Sequence, residues 1–180
     1  NTKYGTKCTA IYGDVSNAAD IEQVMAETIA QYGQIDILVN NAGIWPTCNI
    51  LDMTDEEWRK VIEINLTGVF LFSKRVAKHM LEKKLRGRII NITSKSGFTY
   101  TTGGHGHYAT SKAGAIMLTK VLAREISQYG INVVGIAPGM PAADLHHHVA
   151  GLQPELASVE DEHALTRQQD AVVERLRLVH

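Results

Sequence analysis

Cysteine is scarce in this chain: Cys8 and Cys48 are its two thiols, and they form no C-x-x-C spacing. A disulfide framework or a zinc site is therefore not expected, and two reduced, partly buried thiols are. Charge of one sign is also missing. Eighteen Lys and Arg against nineteen Asp and Glu leave a net charge of −1, with no basic stripe to follow a phosphate backbone, so nucleic acid is not expected as a partner. No apolar run approaches the ~18–20 residues that span a bilayer, and the opening Asn-Thr-Lys-Tyr-Gly lacks the apolar core of a signal peptide. A cytoplasmic protein without a membrane partner is the expectation. There is no internal repeat or low-complexity tract. His146, His147 and His148 have no carboxylate or Cys at ligand spacing, so no metal site is expected.

What is present describes an ordinary globular domain: 180 residues, 44% hydrophobic and 21% charged, enough to bury a sizeable core. Cys8–Tyr12 reads as a buried strand ended by Gly13-Asp14. A helix follows, capped by Ser16 or Asn17, with Ile21, Val24, Met25, Thr28, Ile29 and Tyr32 at helical spacing up to Gly33. A second strand over 35–39 runs into Asn40-Asn41-Ala42-Gly43, where small residues let a flat ligand approach and the two Asn side chains can hold the loop locally. Thr54-Asp-Glu-Glu57 is a capping box. It opens a long helical segment with Trp58, Val61, Ile62, Leu66, Val69, Phe70, Val76, Ala77 and Met80 on one stripe. Asn65 lies within that stripe, and Gly87 closes the segment.

A third strand, 88–93, delivers Ser94. The loop 95–107 is rich in Gly and Thr, and a helix begins at about Tyr108, burying Ala113, Ile116, Met117, Lys120, Val121 and Ala123 until Gly130 caps it. Residues 131–136 form a fourth strand leading into Pro138-Gly139, and a final helix with Leu165, Val172, Leu176 and Val179 on one side can begin at Ser158. Strand and helix alternate, which predicts a parallel sheet covered on both faces. Asp14, Asn41, Ser94 and Pro138 all fall just past strand carboxyl ends, where open α/β sheets bind ligands.

Tyr108 and Lys112 stand one helical turn apart on the same face. At ~4 Å and an effective dielectric of about 20, an ammonium attracts a phenolate by roughly 4 kcal/mol. Such a phenol suits general acid–base work.

Taken jointly, these motifs make the chain resemble the short-chain dehydrogenase/reductase family over most of residues 7–140. The resemblance implies a Rossmann-like, doubly wound, three-layer αβα domain and an oxidoreductase that moves a hydride between NAD or NADP and an alcohol or ketone. It implies a catalytic set of Asn65, Ser94, Tyr108 and Lys112. Ser94 and Tyr108 would meet the substrate oxygen, with His105 lining the pocket and His107 also possible there. Ser96 is a rival to Ser94, which is preferred because it follows the strand. Cofactor contacts would come from Asp14, Val15, Asn41, Ala42, Gly43, Tyr108, Lys112, Pro138 and Gly139, and Asn65 would position a proton-relay water. The helices at about 55–82 and 108–129 resemble those that pair family members into dimers or tetramers, and Ala109, Ala113 and Gly114 fit close packing there. Residues from about 140 to 180 would be a substrate lid within one domain.

Two departures stand out. The family's first strand, its Thr-Gly-x-x-x-Gly-x-Gly phosphate loop, its second strand and its closing strand have no counterpart. In the family's sheet order, 3-2-1-4-5-6-7, this leaves Cys8–Tyr12 without a neighbour, so the chain is expected to be part of a longer protein, and an intact mass near 19.8 kDa would overturn that. Ala143 also stands where a threonine usually meets the carboxamide of the cofactor. A catalytically silent nucleotide-binding or scaffolding relative is the alternative, favoured by the missing glycine loop. A nucleotide-sugar epimerase is a third, opposed by Asn-Asn-Ala-Gly. Thr47, His105 and His107 lean toward a polyol, sugar or hydroxy acid as substrate.

Overall fold

The computed structural model describes residues 8–99 and 103–138. Helix α1, Ala18–Tyr32, begins where the Asn17 side chain accepts from the amides of Ala19 and Asp20 and ends at Gly33, whose φ of 86° an L side chain rarely adopts. Strand β1, Ile37–Asn40, leads to the Asn-Asn-Ala-Gly turn. Helix α2, Asp55–Ile62, carries the complete capping box of Thr54 and Glu57. It continues through a π-helical turn, Glu63–Thr67, into α3, Gly68–Glu82. Strand β2, Arg88–Ile92, a short 3-10 turn, Lys95–Gly97, helix α4, Gly106–Ile126, a second 3-10 turn, Ser127–Tyr129, ended by Gly130, and strand β3, Asn132–Ile136, complete the described elements.

The strands form a parallel sheet in the order β1-β2-β3, with Ile37 opposite Arg88 and Ile89 opposite Val133. In β2, Ile89, Ile90 and Asn91 are buried in succession. Because successive side chains point to opposite faces, that run means both faces of the central strand are covered. Met25 of α1, Val76, Ala77 and Met80 of α3, Ile89, Ile126 of α4, Ile131 and Val133 form one core cluster.

Several expectations need correction. Cys8–Tyr12 is not a buried strand: it joins no ladder, Tyr12 is 89% exposed and Cys8 is exposed. Among the described residues no strand lies beside it to form a ladder with its N–H and C=O groups. The expected burial of both thiols therefore fails for Cys8, while Cys48 is half-buried. Gly87 does not stop the long helix. The stop is Lys84, at a positive φ of 54°, with Lys84 N–H donating to Leu81 O at 3.1 Å and Leu85 N–H to Met80 O at 2.8 Å, the paired bonds of a Schellman motif. Gly87 instead makes room for Met80, whose sulfur would sit 2.5 Å from an added Cβ.

Helix α4 starts two residues before Tyr108, at Gly106, and its buried residues mix polar and apolar: His107, Ser111, Lys112, Ala115, Ile116, Thr119 and Ile126. Ile116 is buried as expected, whereas Ala113, Met117 and Val121, also expected inside, are exposed, the last two at 55% and 47%. The helix expected after Ser158 and the lid region lie outside the described residues.

Candidate active site

The π-turn sets the first side of the site. A widened turn of this kind re-aims side chains within a helix, and here it holds Asn65 fully buried. Asn65 Oδ1 accepts from Ile44 N at 2.8 Å, and Nδ2 donates to Ile44 O at 2.8 Å and to Ser111 Oγ at 3.2 Å. The side chain thus clamps the backbone just after Asn-Asn-Ala-Gly to helix α4. Gly68, at the end of the turn, has Val15 O only 2.7 Å from where a Cβ would lie, so any other residue would push the α1 entry away.

The second side is α4. Lys112 is buried, and its Nζ donates to Ile92 O at 2.8 Å, at the carboxyl end of β2. Burial pushes its ammonium below the ordinary lysine range. The same Nζ lies 5.7 Å from the centroid of the Tyr108 ring, within cation–π reach. An added Cβ on Gly43 would sit 3.6 Å from Lys112 Nζ and 3.3 Å from Asn65 Oδ1. Gly43, Asn65 and Lys112 therefore converge at one strand end. Ser111, which no sequence motif singles out, is buried and donates to Tyr108 O at 2.7 Å, tying the tyrosine's turn to Asn65.

Ser94 comes in on the third side. It lies two residues past the end of β2 and caps the 3-10 turn, its Oγ accepting from Ser96 N at 3.2 Å. Gly97 seats that turn on α4, since an added Cβ would lie 2.7 Å from Lys112 C and 2.8 Å from Ala113 N. That contact fixes the turn after Ser94 against the backbone of Lys112.

A cavity of about 210 Å³ lies between β1 and the π-turn, lined by Val15, Asn41 and Ala42 together with Leu38, Gly68 and Phe72. A second, of about 530 Å³, is bounded by Gly43, Trp45, Pro46, Glu57 and Lys60. Asp14 stands at the entry to α1, where its carboxylate accepts from Ser16 N at 2.8 Å and Ser16 Oγ at 2.7 Å. Those bonds hold its carboxyl below the usual range. Pro138 is exposed in the turn after β3, and Gly139 lies outside the described residues.

Other expected residues behave differently. Asn40 does not brace its loop locally: Nδ2 donates to Ser73 Oγ at 3.0 Å and to Asn91 Oδ1 at 2.8 Å, and Asn91 Nδ2 donates to Thr119 Oγ1 at 2.8 Å. This buried polar ladder crosses from α3 through β1 and β2 to α4, and its members lie too far apart in sequence for local patterning to find. His107 does not line a pocket, because it is fully buried. Burial and the neighbouring His105 push its ring below the usual histidine range, against the opposing pull of Glu57 and of the His105 carbonyl. His105 occupies the N-cap position of α4 without a side-chain capping bond, its Nδ1 3.2 Å from Pro46 O instead, and Gly104 O accepts from Cys48 N at 2.8 Å. The loop before Tyr108 is thereby laced to the loop after β1. The Cys48 thiol is pushed up, by burial first and then by Glu57 and Asp52. Gly114, expected to serve packing between copies, instead accommodates Leu66 of the same chain, whose Cδ2 would lie 2.8 Å from an added Cβ. Among the described residues, no group of three or more His, Cys, Asp or Glu is placed to hold a metal ion, and no helix is long and apolar enough to cross a membrane.

A parallel sheet with helices packed on it and a small-residue turn at its carboxyl ends defines a Rossmann-type α/β fold as the class. Residues 1–151 match the family described as short chain dehydrogenase. The chain is 43% identical over 141 residues to the 3-oxoacyl-[acyl-carrier-protein] reductase of Synechocystis, covering 78% of this chain and 56% of that protein. It is 46% identical over 132 residues to the 3-oxoacyl-[acyl-carrier-protein] reductase FabG of Escherichia coli, covering 73% and 53%. The crystal structure of a short-chain type dehydrogenase/reductase from Mycobacterium marinum superposes with a TM-score of 0.74 at 34% identity, covering 82% of this chain and 61% of that one. The chain belongs to the short-chain dehydrogenase family, whose cofactor is NAD or NADP. It spans about half the length of the curated relatives it matches.

Proposed function

We propose that the protein transfers a hydride between NAD(P) and an alcohol or ketone, and that its substrate class is the 3-oxoacyl thioester named for its reductase relatives. The observation that carries the reading is the buried ammonium of Lys112 beside the Tyr108 ring at the carboxyl end of β2. A lone buried cation is costly, and a phenol that must carry negative charge during turnover is a reason to keep it.

The residues present suit the cofactor. Val15, Asn41 and Ala42 line the narrower cavity, and the bare Gly43 leaves open the approach to Lys112. Asp14, Pro138 and Gly139 would complete the cradle. When bound, the nicotinamide supplies or accepts the hydride. In reduction, Tyr108 gives its phenolic proton to the carbonyl oxygen, and Ser94 donates a hydrogen bond to the same atom as charge develops there. Lys112 stabilises the resulting phenolate and binds ribose hydroxyls.

Asn65 acts as a positioning residue, because its amide is committed to Ile44 and Ser111. A relay water would then have to be held by neighbouring groups rather than by its side chain. His105, pinned to Pro46, stands at the substrate side. One domain closed by a lid near 140–180, a cytoplasmic setting and a homodimer or homotetramer belong to the same proposal.

Nicotinamide fluorescence titrations with NADH and NADPH, followed by reduction of acetoacetyl-coenzyme A, test it. Tyr108→Phe should lower kcat by about 10²-fold or more while leaving cofactor affinity essentially unchanged. Retention of even about a tenth of the turnover would refute the assignment. Cofactor binding without turnover in the unmutated protein would assign the silent, nucleotide-binding role instead.

A further inference from the structure

Helix α4 carries the proposed acid–base tyrosine, yet it begins without a conventional cap. His105 occupies the cap position and its side chain makes no capping hydrogen bond. The first intrahelical bond is Ala109 N–H to His105 O at 2.9 Å, so Tyr108 N–H is one of the amides that a helix start leaves without a backbone acceptor. It is satisfied from within the first turn: Tyr108 N–H donates to His107 Nδ1 at 2.9 Å. A ring nitrogen that accepts carries no proton, which places the proton of the neutral imidazole on Nε2. The ring is fully buried, and Nε2 finds no hydrogen-bond partner among the described residues.

We propose that His107 is a positioning residue for Tyr108, a neutral imidazole in the Nε2–H tautomer whose Nδ1 caps helix α4 and fixes the backbone of the tyrosine. A surface histidine would cap as well in one protonation state and not in the other. Burial removes that ambiguity, since it disfavours the cationic ring, which has no lone pair on Nδ1 to offer. The groups that act on the ring electrostatically are Glu57 of the preceding helix and His105 of the cap. Ser111 holds the carbonyl of Tyr108 on the other side, at 2.7 Å. The amide and the carbonyl of the proposed general acid are thus both anchored by side chains of its own helix. The consequence for turnover rests on the acid–base reading of Tyr108, whereas the tautomer does not.

Two measurements on the whole protein decide the matter. Nitrogen-15 correlation spectra of histidine-labelled protein near neutral pH should show His107 with Nε2 protonated and Nδ1 bare. A proton on Nδ1, donated to the nearby His105 carbonyl, would overturn the proposal. Among variants, His107→Asn places an oxygen about where Nδ1 lies and should keep kcat for acetoacetyl-coenzyme A within about threefold of the unmutated protein. His107→Gln and His107→Leu lack that acceptor and should lose about tenfold or more in kcat, with KM little changed. A folded His107→Leu protein that turns over normally would also overturn it. If the leucine variant does not fold, the asparagine variant and the spectrum still decide. If the unmutated protein shows no turnover, the functional reading fails and the spectrum alone judges the cap.

Discussion

Lys112 shows at the scale of one residue how the site and the fold compete. Its Nζ has a carbonyl, Ile92 O, and an aromatic face beside it, but burial still lowers its affinity for a proton. The unfolded chain restores the ordinary value of 10.5. Between the lowered folded value and 10.5 the unfolded state binds more protons, so stability rises with pH across that interval. Below the folded value the penalty is present in full. The urea midpoint of the unmutated protein should therefore rise, as pH climbs toward 10.5, by more than that of Lys112→Met, which has no proton to lose. Equal changes in the two proteins would contradict the sign. The Tyr108 and Lys112 pair was legible in sequence because four residues make one helical turn. Ser111 and His107 were not, since their importance comes from burial and from partners that helical spacing does not identify.

At the scale of the element, the long helix from Thr54 to Lys84 was legible at its start and misread at its end. The capping box is local chemistry, three residues apart, and the structure contains both of its bonds. The helix stop depended on which residue could be forced to positive φ. Lys84 takes that position, at a steric cost that glycine would avoid. Lys84→Gly should raise stability by about 0.5–1 kcal/mol, measured as an increased urea midpoint with unchanged slope. A fall would mean that the lysine stem contributes more than the strain removes. The π-turn within the same segment left no mark in the apolar spacing, and the partners of its Asn65, Ile44 and Ser111, lie 21 and 46 residues away in sequence. In α4 the apolar pattern was right for Ile116 and Ala123 and wrong for Met117 and Val121, which are outward. The inward stripe also carries the polar Ser111, Lys112 and Thr119, which apolar spacing cannot pick out.

The whole molecule leaves apolar surface uncovered. Phe70 of α3 is 42% exposed, and Met117 and Val121 of α4 more so. On β1, Ile37 and Val39 are 60% and 41% exposed beside a strand paired only with β2 among the described residues. Exposed apolar side chains on two neighbouring helices suit association between copies. Val121→Glu combined with Met117→Glu is expected to shift the light-scattering mass from an oligomer to a single chain. An unchanged oligomeric mass would place the contact elsewhere, with the β1 edge the next surface to test through Val39→Lys.

By itself the sequence determined the alternation of strand and helix, the capping box, the turn of small residues after β1 and the Tyr108–Lys112 spacing. Each depends on residues a few positions apart, so local geometry is enough to specify it. Tertiary structure alone decided that Cys8–Tyr12 is not a strand and that Asn40, Ser73, Asn91 and Thr119 form one ladder. It also decided that Asn65 is a clamp and that His107 is fully buried. Those outcomes turn on whether a hydrogen-bonding group meets a partner or water once distant segments have packed, and that is a property of the folded chain.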